Sequence, residues 1–227
     1  MFTIAFEGID GSGKTVQVDR LRDHVAGLGS SVKTLSFPKY DGGFFGSEIG
    51  ALLADKRKPN ALELSPKDMS LWYALDRFEQ MRGWRDWTFD YLLLNRFSLS
   101  NVAFQGSRLP DDEDADPFTE WLSELEHVIL DLPIPDAYII FDVSPLQSRK
   151  NVANKGNREY TEGADLLESN EDLQSKVRSC YRRLAEEMAT ISVIDCLTPE
   201  GSMRTEDSIQ DEVREILRDK HLIERSE

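Results

Sequence analysis

Gly8-Ile9-Asp10-Gly11-Ser12-Gly13-Lys14-Thr15 sets three glycines, a lysine and two hydroxyl residues within eight consecutive positions. Residues of these types at this spacing suit the binding of phosphate. Glycines let the backbone curl so that successive N–H groups converge on phosphate oxygens. A helix starting directly after them adds the partial positive charge of its N-terminus. Lys14 would reach the terminal phosphates of a nucleotide, and the Thr15 hydroxyl would ligate Mg²⁺. Gly8, Asp10, Gly11, Ser12, Gly13, Lys14 and Thr15 therefore read as a binding loop for an ATP-like nucleotide, provided that a strand precedes them and a helix follows.

Both flanking elements are legible. Residues 2–6 form an apolar run that reads as a buried strand, and Leu21, Val25 and Leu28 after the loop share one helical face, with Gly29 as a stop. Four more apolar runs, at 32–37, 91–94, 137–143 and 191–194, are separated by amphipathic stretches. The alternation predicts an α/β fold with a five-stranded parallel sheet flanked by helices, in one domain spanning 1–227. Ser65-Pro66 with Asp68 predicts a capped helix running through 72–81. Leu173, Val177, Tyr181, Leu184 and Met188 keep helical spacing, as do Ile209, Val213 and Ile216 after a Ser208 cap. The acidic run 111–116 reads as a solvated loop. The segment 147–170 lies between a strand and a helix, carries Arg149, Lys150, Lys155 and Arg158, and has Gly156 and Gly163 to permit movement. It reads as a mobile basic lid.

Composition narrows the partners. The 227 residues carry a formal charge of −15, which argues against a nucleic-acid polymer or an anionic membrane as the main partner. A nucleotide stays open, because a local cluster of amides and cations outweighs a distant negative surface. The two cysteines, Cys180 and Cys196, suggest no disulfide framework, and the three histidines lack metal-ligand spacing. No leader pattern opens the chain and no apolar run approaches membrane-spanning length, so a cytoplasmic location is expected. A phosphate loop alone leaves kinases, GTPases, motor-like ATPases and regulatory binding modules open. The nearest match to a guanine-reading motif, Asn154-Lys155-Gly156-Asn157, lacks the final Asp and lies in the basic segment.

Several motifs in order resemble the thymidylate kinase family. They are the opening Phe6-Glu7-Gly8 and its loop; Phe37-Pro38-Lys39-Tyr40; Leu71-Trp72-Tyr73-Ala74-Leu75-Asp76-Arg77; Asn95-Arg96-Phe97; and Ser100-Asn101-Val102-Ala103-Phe104-Gln105. The resemblance implies the three-layer P-loop kinase fold, ATP and Mg²⁺ as cofactors, dTMP as acceptor and a homodimer. It also assigns roles. Tyr73 would stack on the acceptor base, Arg77 would donate to a base carbonyl, and Asn101 would meet the adjacent N3–H and carbonyl edge. Phe104 would lie under the sugar and Asp10 would accept from its 3′-hydroxyl. Lys39 and Arg96 would hold the acceptor phosphate, with Phe37, Tyr40 and Gln105 completing the acceptor site. Taken singly, Tyr73 and Phe104 also suit a core, Arg77 a surface ion pair and Asn101 a helix cap. dUMP, dGMP or a modified thymidylate are alternative acceptors.

Two departures from the family pattern matter. Asn95 stands where the family has an Asp that helps hold Mg²⁺, so Thr15 and Asn95 are the expected metal-side residues, with Glu7 or Asp142 as possible sources of the missing charge. The phosphate loop carries no basic residue between Asp10 and Lys14, so the resemblance places the cations acting beside Lys14 and Arg96 in the lid, at Arg149 and Arg158.

Overall fold

A computed structural model describes residues 1–110, 115–153, 165–167 and 170–223 of the chain. Its centre is β1 (Phe2–Glu7), buried from its second residue onward, as an apolar strand covered on both faces must be. β2 (Val32–Ser36), β3 (Tyr91–Asn95), β4 (Ala137–Asp142) and β5 (Ile191–Asp195) join it in the order β2-β3-β1-β4-β5, every pair parallel. The predicted sheet is present. Because the strands are parallel, their last residues, Glu7, Ser36, Asn95, Asp142 and Asp195, line one edge. The loops that leave this edge on either side of β1 are where open α/β sheets hold ligands.

The helices are α1 (Lys14–Gly27), α2 (Phe44–Leu53), α3 (Pro66–Gln80), α4 (Ser98–Gly106), α5 (Ala115–Ser123), α6 (Pro145–Ala153), α7 (Glu171–Glu187) and α8 (Glu206–Asp219). α5 continues into a π-helical turn, Glu124–Ile129. α3 is capped as predicted, with Ser65 Oγ accepting from the Asp68 N–H at 3.1 Å. α8 differs from expectation: Thr205 is its cap, accepting from the Ser208 N–H at 3.2 Å, and Ser208 already stands inside the helix. Thr205 offers the hydroxyl that reaches the orphan donors three residues on, which is why the boundary moves back by one turn. The acidic run 111–116 is also redrawn. Residues 111–114 lie outside the described residues, and Asp116 stands in the first turn of α5, where a carboxylate suits the helix dipole. The segment 147–170 begins as ordinary helix, since α6 extends to Ala153, whereas Lys155, Gly156, Arg158 and Gly163 lie outside the described residues.

α4 shows how the core and the site are joined. Phe97, at its N-cap, has no capping side chain of its own. Glu7, from the end of β1, does that work instead. Its Oε1 accepts from the N–H groups of Phe97 (2.8 Å) and Ser100 (3.3 Å), and its Oε2 accepts from the hydroxyls of Ser100 and Tyr181. The carboxylate is completely buried. It satisfies orphan donors at a helix start and ties β1, α4 and α7 together.

Candidate active site

The loop between β1 and α1 turns through left-handed backbone at Gly8 (φ 135°) and Gly11 (φ 70°). Side chains are excluded there by space as well as by conformation. A Cβ on Gly8 would lie 2.6 Å from the Phe141 carbonyl oxygen, and one on Gly11 would lie 2.6 Å from that of Ser148. Lys14, in the first turn of α1, folds back over the loop. Its Nζ donates to the carbonyls of Gly8 (3.1 Å) and Ile9 (2.8 Å) and to Ser12 Oγ (3.3 Å). α6 braces the loop from the other side, with Ser148 Oγ donating to the Asp10 carbonyl at 2.6 Å and Asn151 Nδ2 to the Gly11 carbonyl at 2.8 Å.

Two cavities open on this loop and share a wall of Asp10, Phe37, Pro38, Tyr40 and Arg96. One is bordered by Gly11, Gly13, Lys14, Thr15, Lys39 and Asn95. The other opens on the far side of that wall. Its wall includes Tyr73, Arg77, Asn101, Phe104 and Gln105. The residues assigned to an acceptor thus surround a single space, Lys39 standing in the neighbouring one.

Arg96 stands where the cavities meet. Its backbone is left-handed (φ 65°), a conformation that costs a non-glycine residue about 1–3 kcal/mol. Its Nη1 donates to the Gly8 carbonyl (2.9 Å) and to Ser100 Oγ (3.1 Å), its Nη2 pairs with Asp10 at 2.7 Å, and its guanidinium lies 4.9 Å above the Phe104 ring. Burial works to lower its pKa, but the charge of Asp10, with Tyr181 and Glu7 behind it, raises it on balance and keeps it cationic. Burial pushes the Glu7 carboxyl up, against the Ser100 hydrogen bond and the Arg96 charge. Lys39 pairs through Nζ with Asp41 at 2.5 Å, while its backbone N–H donates to Asp76 Oδ2 at 3.0 Å. Asp76 is completely buried, and burial raises its pKa to about 6 against that amide and the nearby Arg77 charge.

The base-side residues form a second network. Arg77 is buried and donates from Nε (2.9 Å) and Nη2 to Glu126, so its ion pair belongs to the interior and not to the surface. Asn101, also buried, donates from Nδ2 to Glu126 Oε1 (3.0 Å) and to the Ser70 carbonyl (3.1 Å). Gln105 accepts from Arg108 Nη1 at 2.5 Å. Glu126 and Asp76 support the site without lining either cavity: Glu126 stands outside every motif, and Asp76 lies within one that gives it no role. Glu126 had a signal: Phe118, Leu122 and Glu126 are four apart, so a carboxylate continues a buried stripe.

Arg149 sits on α6, half exposed, and pairs with Glu171 at the start of α7; Arg158 lies outside the described residues. Asp142 is held by Arg178 and Arg182. Burial would raise its pKa, and those two bonds lower it on balance. Glu7 and Asp142 are therefore engaged within the protein, and Asp10 is a carboxylate that borders both cavities. Among the described residues no group of three or more acidic, His or Cys side chains suits a metal ion. An ion held mainly by phosphates and water needs only one or two protein oxygens. Asn95 Nδ2 donates to Thr15 Oγ1 at 3.1 Å and the buried Asn95 Oδ1 has no partner among the described residues; turning the amide over would set that oxygen beside Thr15 Oγ1, an arrangement that fits Mg²⁺.

Comparison with known proteins identifies the family. The family model of thymidylate kinase matches residues 6–206. A thymidylate kinase of Mycobacterium tuberculosis is 29% identical over 192 residues, covering 80% of this chain and 85% of that protein. A probable thymidylate kinase of Methanosphaera stadtmanae is 29% identical over 217 residues, covering 93% and 94%. Among solved structures, a thymidylate kinase from Candida albicans has the same fold, with a TM-score of 0.72 at 20% identity over 99% of this chain and 96% of that one.

Proposed function

The chain belongs to the thymidylate kinase family, and from that premise we propose that its paired cavities transfer the γ-phosphoryl of ATP to dTMP, giving ADP and dTDP. The observation that carries the reading is the shared wall. Asp10 and Arg96 border both the space beside Lys14 and Thr15 and the space enclosed by Tyr73, Arg77, Asn101 and Phe104. A donor and an acceptor held on the two sides of that wall meet at their phosphates.

The acceptor phosphate is an oxyanion at neutral pH, so no strong general base is needed, and catalysis is positioning plus offset of charge. The phosphate loop and the start of α1 hold the donor, with Gly8, Gly11, Ser12 and Gly13 supplying the cradle. Lys14 exchanges its contacts with the loop carbonyls for phosphate oxygens. Arg96 and Lys39 hold the acceptor phosphate, Asp10 takes the sugar 3′-hydroxyl, and Phe104 packs under the sugar. Tyr73 stacks on the base while Arg77 and Asn101 read its edge, with Phe37, Tyr40 and Gln105 closing the pocket. Thr15 and Asn95 would hold Mg²⁺, which neutralises phosphate charge when bound. Arg149 and Arg158 supply further positive charge to the phosphates, and alanine at both positions should lower turnover.

The chain acts as a homodimer in this reading. Phe44 on α2 and Leu71 and Phe78 on α3 are large apolar side chains left exposed on neighbouring helices, as a self-association face requires. Light scattering on the purified protein checks this. No helix among the described residues is long and apolar enough to cross a membrane. With both cysteines free, a reducing cytoplasmic setting suits the chain.

The deciding experiment measures ADP formation from ATP and Mg²⁺ against a panel of nucleoside monophosphates. Strongest turnover with dTMP is expected. Preference for dUMP, dGMP or another acceptor would overturn the base assignment, and no turnover with any of them would overturn the kinase reading in favour of a nucleotide-binding module.

A further inference from the structure

Glu126 is a completely buried carboxylate that comes 49 residues after Arg77 and 25 after Asn101, yet contacts both. Its Oε2 accepts from Arg77 Nε, and its Oε1 accepts from Arg77 Nη2 and Asn101 Nδ2. The other Nδ2 proton of Asn101 goes to the Ser70 carbonyl. Both amide protons of Asn101 are therefore spent on groups that accept and cannot donate. Turning that amide over would set Oδ1 against a carboxylate and a carbonyl, so it is locked in one orientation. Asn101 Oδ1, buried and without a partner among the described residues, is then what Asn101 has left to offer the cavity it lines. Arg77, with Nε and Nη2 committed to Glu126, keeps Nη1 to donate.

We propose that Glu126 is a positioning residue for base selection: by holding Arg77 and Asn101 together it fixes a donor beside an acceptor at the base end of the cavity. This rests on the reading of that cavity as the acceptor site. A donor beside an acceptor matches a base that presents a carbonyl next to a ring N–H, as thymine and uracil do. Cytosine presents an amino group and a bare ring nitrogen at those places, so it meets donor with donor and acceptor with acceptor. A site whose buried polar groups are fixed in this way rejects the mismatched ligand far more strongly than one whose amide can turn.

The test is calorimetric binding of dTMP and dCMP to the full chain and to Glu126→Gln and Glu126→Asp, with thermal melting of each. The native chain should favour dTMP by about 10³-fold. In Glu126→Gln the Ser70 carbonyl still opposes a turned Asn101 amide, but Gln offers an N–H₂ where the carboxylate only accepted, so the ratio should narrow by about 10-fold, chiefly through weaker binding of dTMP. Asp still only accepts, though with shorter reach, and its ratio should fall between the other two. A merely structural Glu126 would lower the melting temperature and weaken both ligands alike. An unchanged ratio in the folded variants overturns the proposal, as does a native chain that binds the two ligands equally. Should the Gln variant fail to fold, the Asp variant decides by the same criterion. Absence of turnover with dTMP in the native chain would overturn the kinase reading, while the binding ratio still decides the role of Glu126.

Discussion

The two ends of the site are built on opposite principles. At the phosphate end the working parts are mostly backbone, drawn from one short run between β1 and α1, and their shape is set by glycine conformation. At the base end the working parts are side chains from α3, α4 and the π-helical turn, and their shape is set by hydrogen bonds among buried polar groups. The first arrangement presents donors to whatever phosphate arrives. The second is a closed set in which each member satisfies another, so removing one leaves its partner buried and unpaired. Affinity for phosphate and choice of base therefore fail in different ways.

The largest expected effect is at the phosphate end. Lys14→Ala should reduce turnover by about 10³-fold or more and lower the melting temperature only modestly, since α6 still holds the loop once the Lys14 contacts to Gly8, Ile9 and Ser12 are lost. Steady-state rates and thermal melts check both halves. At the base end the balance reverses. Arg77→Met should cost about 3–4 kcal/mol of stability, because Glu126 is stranded, whereas Arg77→Met with Glu126→Leu should recover most of it. Urea unfolding of the two singles and the double decides; additive losses would mean that the pair is not a closed unit.

Asp76 lies at the seam, holding the Lys39 amide. Its carboxyl titrates at about 6 when folded, against 3.8 as its ordinary value. The folded chain thus binds the extra proton between those values, and this group's contribution to stability is full below the lower one and declines as pH rises through the upper one. Asp76→Asn should remove that decline. The stability difference between native and variant should change by about 3 kcal/mol from roughly pH 3.5 to 7, measurable by denaturant titration at each pH. Smallest is Asn95→Asp, which restores a charged oxygen beside Thr15 and should lower the Mg²⁺ concentration for half-maximal rate by about 3- to 10-fold. Unchanged Mg²⁺ dependence would remove Asn95 from the metal side.

How much of this could be read from the chain follows the same division. The phosphate loop and the five strands were legible because each is contiguous, and a local pattern carries its own geometry. Tyr73, Arg77, Asn101 and Phe104 could be placed only as members of an ordered set resembling a known family, since a helix reveals which face a residue occupies and not what it faces. Glu126 continues the buried spacing of Phe118 and Leu122, but that spacing says only that it is buried, and its partners are distant in sequence. The misplaced cap of α8 has a simpler cause: Thr205 and Ser208 both suit the position, and only hydrogen bonding chooses between them.

The central position of β1 has one more consequence, which appears in time and not in space. Its backbone is paired to β3 on one side and β4 on the other, and its residues after Phe2 are buried. Amides so placed exchange with deuterium only when the whole domain opens. The phosphate loop is therefore suspended from the slowest-exchanging part of the chain, whereas its own N–H groups, which must stay available to a nucleotide, exchange early. Nucleotide binding should slow exchange within 8–15 directly, while β1 changes only as far as global stability does. The boundary between Glu7 and Gly8 would then separate a slow clock from a fast one across a single peptide bond.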